Sequence, residues 1–125
     1  MTVIDSNKMS IICAGKNIKA NNISNATVME CDAKQLDNIQ EVLAGKSNMF
    51  ILDPPRAGLH KKTVKFIKKN PPEKMIYMSC NPRQLAFDLN ILKELYDIKD
   101  MVIFDMFPQT RHMEMGAVLE RAIKN

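Results

Sequence analysis

The sequence predicts an α/β fold with a largely parallel sheet, of the Rossmann-like kind. Two observations lead to this class: short apolar runs alternate with amphipathic stretches, and the runs are rich in the residues that favour strands. Two of the runs, Met49–Leu52 and Met75–Ser79, are typical of strands buried on both faces. The 125 residues, 46% hydrophobic and 26% charged, suffice for a single domain. No stretch reaches the ~18 apolar residues of a membrane helix.

The first two predicted strands are short, and each ends in an acidic residue. Residues 2–4 form the first strand and end at Asp5, and residues 26–31 form the second and end at Asp32. Between them Ser6 can cap a helix. We expect the inward face of that helix to carry three residues: Met9, Ile12 and Cys13. Apolar spacing and a terminal glycine mark another helix after the second strand: Leu36, Ile39, Leu43 and Gly45.

The middle of the chain contributes the two apolar strands. Met49–Leu52 ends at Asp53, and Met75–Ser79 ends at Cys80. A lysine-rich helix is predicted between them, within residues 60–69, and the two prolines that follow stop it. Its lysines are either a solvated face or a surface that contacts phosphate groups, and the sequence leaves both interpretations open. The formal net charge of +4 permits binding to nucleic acid without demonstrating it.

One more helix and two closing strands complete the predicted fold. Asn81 is a suitable N-cap and Pro82 a suitable first helical residue. The helix that they open has an apolar stripe of Leu85, Leu89 and Leu92. Residues 98–107 and 112–119 predict two strands that are antiparallel to each other.

Each of the first four strands is followed by an acidic or reactive side chain: Asp5, Asp32, Asp53 and Cys80. In open parallel sheets, ligands bind beyond the carboxyl ends of the strands. Any one of the acids is equally explained as a helix cap. All four in register predict a site along one edge of the sheet.

The first motif is Asp53-Pro54-Pro55-Arg56-Ala57-Gly58. Two prolines after a buried strand stiffen the turn and hold the preceding carboxylate at the sheet edge. Such a turn resembles the base-binding motif of methyltransferases that act on nucleic acids. In the members that methylate amino groups the next residue is normally aromatic, whereas here it is Arg56, which argues against that subclass.

The second motif is Ser79-Cys80-Asn81-Pro82. A cysteine between a strand and a helix N-terminus lies in a positive field, which favours the thiolate. Cys13 and Cys31 are instead expected to be small buried hydrophobic residues. An odd number of cysteines without a Cys-x-x-Cys disfavours a disulfide framework and a zinc site.

The third motif spans residues 105–114, where a loop around Pro108 leads into the last strand. His112 and Glu114 are two residues apart and so lie on one face of that strand. A carboxylate at this position can point towards the predicted edge site.

The three motifs, in this order, resemble the S-adenosylmethionine-dependent RNA 5-methyluridine methyltransferases, which act on tRNA or 23S rRNA. The family pattern reads Asp-Pro-Pro-Arg-x-Gly, Ser-Cys-Asn-Pro and Asp-x-Phe-Pro-x-Thr-x-His-x-Glu, and the resemblance covers nearly all of the chain. It implies that Cys80 is a nucleophile for uracil C6 and that Glu114 is the base that removes the C5 proton. It also implies that cofactor contacts come from Asp5, Asp32 and Asp53, with Asn17 matching a helix asparagine of the family.

Methyltransferases of this class place their first strand in the middle of the sheet, followed by a Gly-rich turn beneath the cofactor. The four glycines here are at least 13 residues apart, so neither feature is recognisable. We therefore expect residues 1–125 to be the C-terminal portion of a methyltransferase catalytic domain. S-adenosylmethionine should bind it weakly or not at all, and it should not methylate RNA alone.

The expected partner is RNA, and no membrane is expected. Because the sheet edges are left unpaired, we expect either a dimer with a second copy of the chain or an N-terminal segment displaced from the sheet. With no signal segment, the expected location is the cytoplasm. Two alternatives stay open: a non-catalytic remnant that binds RNA or a partner chain, and an amino-directed nucleic-acid methyltransferase.

Overall fold

A computed structural model describes residues 1–39, 49–110 and 112–123. The six strands are β1 Thr2–Asp5, β2 Thr27–Glu30, β3 Met49–Leu52, β4 Lys74–Ser79, β5 Tyr96–Phe104 and β6 Glu114–Arg121. The three α-helices are α1 Lys8–Ala20, α2 Lys61–Lys69 and α3 Pro82–Leu92. A 3-10 helix over Ala33–Ile39 is kinked at Gln35. None of these helices is long and apolar enough to cross a membrane.

The strands form two sheets, which confirms the α/β prediction. A four-stranded sheet has the order β3-β4-β6-β5, with β3 parallel to β4 and β6 antiparallel to both of its neighbours. β1 and β2 form a separate parallel pair. The two closing strands are antiparallel, as predicted. Among the described strands, β1 pairs only with β2, so it does not close onto the larger sheet.

The hydrophobic core lies on one face of the four-stranded sheet, beneath α2 and α3. Its buried members are Ile67, Met75, Tyr77, Leu85, Leu89, Leu92, Tyr96, Ala117 and Leu119. Phe66 of α2 stacks on Phe50 of β3 with ring centroids 6.5 Å apart. The predicted inward stripe of α3 is confirmed, because all three of its leucines are buried.

The opposite face of this sheet is apolar and largely open. Ile51, Val102 and Phe104 are 62%, 43% and 41% exposed. A methyl group added at Gly116 would lie 3.0 Å from Val102 Cγ1 and 3.1 Å from Met78 Sδ, so these residues share that face. Sheets with parallel strands usually bury both faces. This exposed apolar face is therefore of the kind that another structural element usually covers.

The orientation predicted for α1 is wrong. The helix is capped by Asn7 rather than Ser6, since the Asn7 side chain accepts hydrogen bonds from two backbone N–H groups of the first turn. The residues expected to face inward are exposed: Met9, Ile12 and Cys13. The side that packs on the β1–β2 pair instead includes Gly15, where an added Cβ atom would lie 3.6 Å from Val28 Cγ2. A pair of strands covers only a narrow strip of the helix, so a wide apolar face cannot be buried.

Two smaller predictions differ from the described structure. The helix predicted around Leu36 and Ile39 is a 3-10 helix where the structure describes it, and its proposed end at Leu43 and Gly45 lies outside the described residues. Cys31, expected to be buried, is half-buried.

Ionisation of the tyrosines is expected to be coupled to unfolding. The chain has two tyrosines and no tryptophan, and both tyrosines are buried. Burial raises the pKa of Tyr96 to about 12. Burial, followed by the hydrogen bond to Asp88, also raises the pKa of Tyr77. Unfolded tyrosine titrates near about pH 10. The contribution of Tyr96 to the free energy of unfolding is therefore complete below about pH 10 and is lost as the pH rises through about 12, and the contribution of Tyr77 changes in the same direction.

An alkaline titration followed by tyrosinate absorbance and circular dichroism measures this. We expect tyrosinate to appear together with the loss of helical signal. Ionisation of either tyrosine near pH 10 in a chain that keeps its helical signal would contradict the prediction.

Candidate functional site

Cys80 follows β4 in a turn that its two neighbours hold in place. The Ser79 hydroxyl accepts a hydrogen bond from Asn81 N at 3.1 Å and donates one to Asn81 O at 3.2 Å. Asn81 Oδ1 accepts from Gln84 N at 3.4 Å and so caps α3, with Pro82 at its first turn, as predicted. Cys80 itself is half-buried. The thiol is thereby presented at the N-terminus of α3, at the carboxyl end of β4.

The loop that carries the Asp-Pro-Pro motif is tied to this turn. It leaves β3 at Asp53, which is exposed, and Gly58 N donates to Pro55 O at 2.8 Å to close a turn. Asn81 Nδ2 donates to Arg56 O at 3.1 Å. One asparagine therefore caps the helix after Cys80 and holds the backbone of the neighbouring loop.

A buried carboxylate in α3 anchors the same loop. Asp88 is only 1% exposed. Its Oδ2 accepts hydrogen bonds from Leu59 N at 2.9 Å and Tyr77 OH at 2.5 Å, and its Oδ1 accepts from Gln84 Nε2 at 3.0 Å. A buried ionisable group needs such partners to offset its desolvation. Asp88 therefore joins β4, α3 and the loop in one network.

Gly58 is required where the loop meets this network. Its φ of +79° lies in the left-handed region that favours glycine. A Cβ atom there would be 2.4 Å from Asp88 Oδ2 and 2.4 Å from Gln84 Cγ. The loop can approach α3 this closely only without a side chain at this position.

Sequence reasoning missed Asp88. A signal was present, because Asp88 lies at helical spacing from Leu85 and Leu92 on the apolar stripe of α3, where a polar residue is unexpected. Its partners Tyr77 and Leu59 could not be read from that spacing.

Glu114 begins β6 at the same sheet edge as Cys80. Ser79 pairs with Met115 in the antiparallel β4–β6 ladder. Cys80 directly follows Ser79 and Glu114 directly precedes Met115, so both lie at this end of the ladder. Glu114 pairs with Phe104 of β5, and it is half-buried. The structure thus brings Asp53, Cys80 and Glu114 to one edge of the four-stranded sheet.

The loop before Glu114 contains a tight turn. Thr110 N and Oγ1 both donate to Phe107 O, at 3.1 and 2.8 Å. Gln109 follows Pro108 and has a φ of +69°, which a residue with a side chain rarely adopts. His112, which is exposed, donates its backbone N–H to Thr110 Oγ1 at 3.2 Å. These bonds hold the segment that leads into β6.

Asp5 and Asp32 follow the two strands of the smaller sheet. These strands are parallel, so both acids lie at the same edge of the pair. Asp5 Oδ1 accepts from Asn7 N at 2.7 Å, and Asp32 Oδ1 accepts from Lys34 N at 2.8 Å. Each carboxylate is therefore oriented by the backbone that follows it. In both residues the second carboxylate oxygen accepts no hydrogen bond from a described residue.

The two groups of candidate residues belong to different sheets. The link between them is the 3-10 helix, which packs against α2. Thr63 Oγ1 of α2 donates to Ala33 O at 2.8 Å. The structure therefore brings Asp53, Cys80 and Glu114 together and keeps Asp5 and Asp32 on the separate pair.

The other two cysteines have different surroundings. Cys13 is exposed on α1, which contradicts its expected burial. Burial, followed by the adjacent Asp32 carboxylate, raises the pKa of the Cys31 thiol. Cys31 is therefore a protonated, weakly nucleophilic thiol at neutral pH. Neither cysteine lies at the edge that carries Asp53 and Glu114.

Known proteins resemble the chain in sequence. A "tRNA/tmRNA (uracil-C(5))-methyltransferase" of Pectobacterium carotovorum is 35% identical over 126 residues, covering 91% of this chain and 34% of the relative. The Yersinia pestis protein of the same description is 34% identical over the same length. The chain thus spans about a third of the length of these curated relatives.

Solved structures resemble the chain as well. The Pyrococcus abyssi tRNA (uracil-54, C5)-methyltransferase, in complex with S-adenosyl-L-homocysteine, superposes with a TM-score of 0.81 at 35% identity. The match covers 94% of this chain and 28% of that one. An N-methyltransferase of Bradyrhizobium japonicum has a TM-score of 0.71 at 14% identity, which shows the fold alone.

The family model described as tRNA (Uracil-5-)-methyltransferase matches residues 2–122, nearly the whole chain. All three motifs around Asp53, Cys80 and Glu114 fall within that match. The chain belongs to the tRNA (uracil-5-)-methyltransferase family.

Proposed function

We propose that this chain supplies the catalytic residues for S-adenosylmethionine-dependent methylation of uracil C5 in RNA. The observation that carries the proposal is the meeting of Asp53, Cys80 and Glu114 at one sheet edge, on turns tied together by Asn81 and Asp88. The names of the relatives favour tRNA over 23S rRNA as the substrate.

The proposed reaction begins at Cys80. Its thiolate adds to uracil C6, forming a C–S bond and moving an electron pair to C5 and the neighbouring carbonyl as an enolate. S-adenosylmethionine, when bound, would supply the electrophilic methyl group that C5 takes, and its sulfur would keep the electron pair of the broken S–CH3 bond. The Glu114 carboxylate then removes the C5 proton, and the electron pair of that C–H bond restores the C5–C6 double bond and expels the thiolate. Two side chains on facing strand ends suffice for addition and elimination.

The residues proposed for the cofactor fit it only in part. Asp5 and Asp32 each have a carboxylate oxygen available for hydroxyl or amino donors of a nucleoside, and Asp53 is exposed at the other sheet. The described residues form no sheet pairing between β1 and β3. We therefore propose that this chain contributes part of the cofactor pocket and that the remainder comes from polypeptide outside the described residues.

The unpaired strand edges also suggest a protein partner. Thr2–Asp5 of β1 and Phe50–Leu52 of β3 each pair with a strand on one side only, among the described strands. A free edge with its row of backbone donors and acceptors is a template for pairing with another strand. Together with the open apolar face around Ile51, these edges favour a homodimer when the chain is alone. Sedimentation velocity over a range of concentrations distinguishes dimer from monomer.

A non-catalytic role is the second candidate. The gap between β1 and β3 favours it, because the larger sheet retains Cys80 and Glu114 while the cofactor acids lie on a separate pair. Such a chain would bind RNA or a partner without transferring a methyl group. Tight binding of S-adenosylmethionine by this chain would argue against the non-catalytic role.

Substitution of Cys80 by alanine should abolish catalysis. The test uses a chimera in which this chain replaces the matching third of the Pectobacterium relative. In RNA that carries 5-fluorouridine, the fluorine at C5 cannot leave as a proton does, so the Cys80–C6 adduct should persist on a denaturing gel. C80A should lose both methylation and the adduct, whereas C13A, the control at an exposed thiol, should keep both. Adduct formation by C80A would refute the proposal.

Substitution of Glu114 by glutamine should block the step after methyl transfer. Without a base at C5 the thiolate cannot be expelled, so the chimera should accumulate the covalent adduct on ordinary RNA. Turnover should fall by about 10²–10⁴-fold, the usual contribution of a general base. Methyl incorporation and denaturing gels measure the two quantities. If activity falls and no adduct accumulates, Glu114 does not have this role.

The 125-residue chain alone should bind S-adenosylmethionine weakly or not at all, since no described sheet pairing joins the two sheets that carry its proposed contacts. Isothermal titration calorimetry provides the measurement. A low-micromolar dissociation constant at one site per chain would contradict the incomplete-pocket proposal. It would also favour the catalytic candidate over the non-catalytic one.

A further inference from the structure

The positive charge of this chain is concentrated in one segment. Residues 54–72 contain six cationic side chains, Arg56 and five lysines, and no acidic one. The whole chain has a formal net charge of +4, so the remaining residues carry a net charge of −2. A segment of 19 residues therefore accounts for more than the entire positive excess.

Most of this charge lies on α2. One side of the helix is buried through Thr63, Phe66 and Ile67. All five of its lysines are exposed: Lys61, Lys62, Lys65, Lys68 and Lys69. Residues three and four apart are neighbours on a helix surface, so Lys61, Lys65 and Lys68 form a continuous stripe of about 10 Å. We refer to these three residues as the lysine stripe.

The lysine stripe is unfavourable to the helix that carries it. Lys61 and Lys65 are four residues apart, and like charges at that spacing destabilise a helix. A cation in the first turn, as at Lys61, also opposes the helix dipole. None of the three lysines forms an ion pair with a described residue. If this face were only solvated, a mixture of lysines and acidic residues would make the helix more stable.

Among the described residues, no acidic side chain of a neighbouring element forms an ion pair with the stripe. The 3-10 helix, which contacts α2 through Ala33 and Thr63, adds Lys34 and Asp37, whose charges cancel. The acidic residues that form ion pairs in the described structure, Asp97 and Glu120, bind lysines outside α2.

The stripe begins next to the candidate site. The chain leaves β3 at the site edge, and the loop to α2 is held there by the bonds of Arg56 O to Asn81 and of Leu59 N to Asp88. α2 then starts at its N-cap His60. Lys61 is therefore the end of the stripe nearest the site, and Lys68 is about two turns farther away.

We propose that the lysine stripe binds the phosphate backbone of the RNA whose uridine occupies the site. The identification of the ligand as RNA rests on the function proposed above. The positive charge of the lysine stripe is complementary to a polyanion. Because the stripe begins beside the Arg56 loop, the phosphates that it binds are those flanking the target nucleotide. Contacts of this kind are independent of sequence and sensitive to salt. The stripe therefore sets the affinity and orientation of the RNA.

Fluorescence anisotropy of the 125-residue chain with a labelled tRNA stem-loop, at several salt concentrations, tests the proposal. The variant K61Q/K65Q/K68Q removes the stripe. The matched control K8Q/K16Q/K19Q removes three exposed lysines of α1, so both variants lower the formal net charge from +4 to +1. Glutamine and lysine have similar helix propensities, and circular dichroism verifies the folds.

We expect the stripe variant to bind RNA at least about tenfold more weakly. The magnitude of its slope of log affinity against log salt concentration should decrease by about 2, as for three lost phosphate contacts. The control should change affinity by less than about threefold. Equal weakening in both variants, or an unchanged slope in the stripe variant, would overturn the proposal. Stripe-dependent binding to phosphatidylserine vesicles without binding to RNA would also overturn it, in favour of a membrane surface.

This outcome is separable from that of the methylation chemistry. The adduct is scored with C80A in the chimera, whereas the dependence of RNA binding on the stripe is measured on the 125-residue chain with Cys80 in place. Loss of the Cys80 adduct with intact stripe-dependent binding is the expected pattern. If C80A in the chimera keeps its adduct while stripe-dependent binding persists, the proposed chemistry fails and the RNA surface stands.

Discussion

The candidate site depends on one buried carboxylate. Asp88 is buried, and among the described residues its carboxylate accepts hydrogen bonds from a tyrosine, a glutamine and the Leu59 backbone. Loss of one partner of such a group leaves a desolvation penalty of about 1–3 kcal/mol. The network therefore favours one position of the Asp-Pro-Pro loop relative to α3. Because Asn81 joins the same two elements, the Cys80 turn and the loop are held as one unit.

The sheet imposes the second constraint. Its four strands bring Cys80 and Glu114 to facing strand ends, a geometry that follows from the antiparallel register of β4 and β6. The same sheet buries one face under α2 and α3 and leaves Ile51 and Phe104 exposed on the other. Packing on one side is sufficient to order the site. The open face and the unpaired edges of the described strands are surfaces on which another element can pack or pair.

The sequence predicted what is encoded locally and missed what depends on distant contacts. The start of α3 was predictable because Asn81 and Pro82 are signals that act within one turn. The inward face of α1 was not, since it depends on how many strands cover the helix. Cys80 and Glu114 were proposed through motifs, but their meeting at one sheet edge depends on a strand register that no motif contains. Asp88 was missed because its partners are up to 29 residues away in sequence.

The balance of energies in α2 explains how a helix can keep an unfavourable charge pattern. Each like-charge pair of lysines costs about 0.2–0.5 kcal/mol. Burial of a side chain such as Phe66 or Ile67, both at most 1% exposed, contributes about 1.5–3 kcal/mol. Tertiary packing therefore outweighs the repulsion between the lysines by a wide margin. The helix is stable without a favourable contribution from its exposed face. That freedom allows the lysines of α2 to serve a ligand rather than the fold.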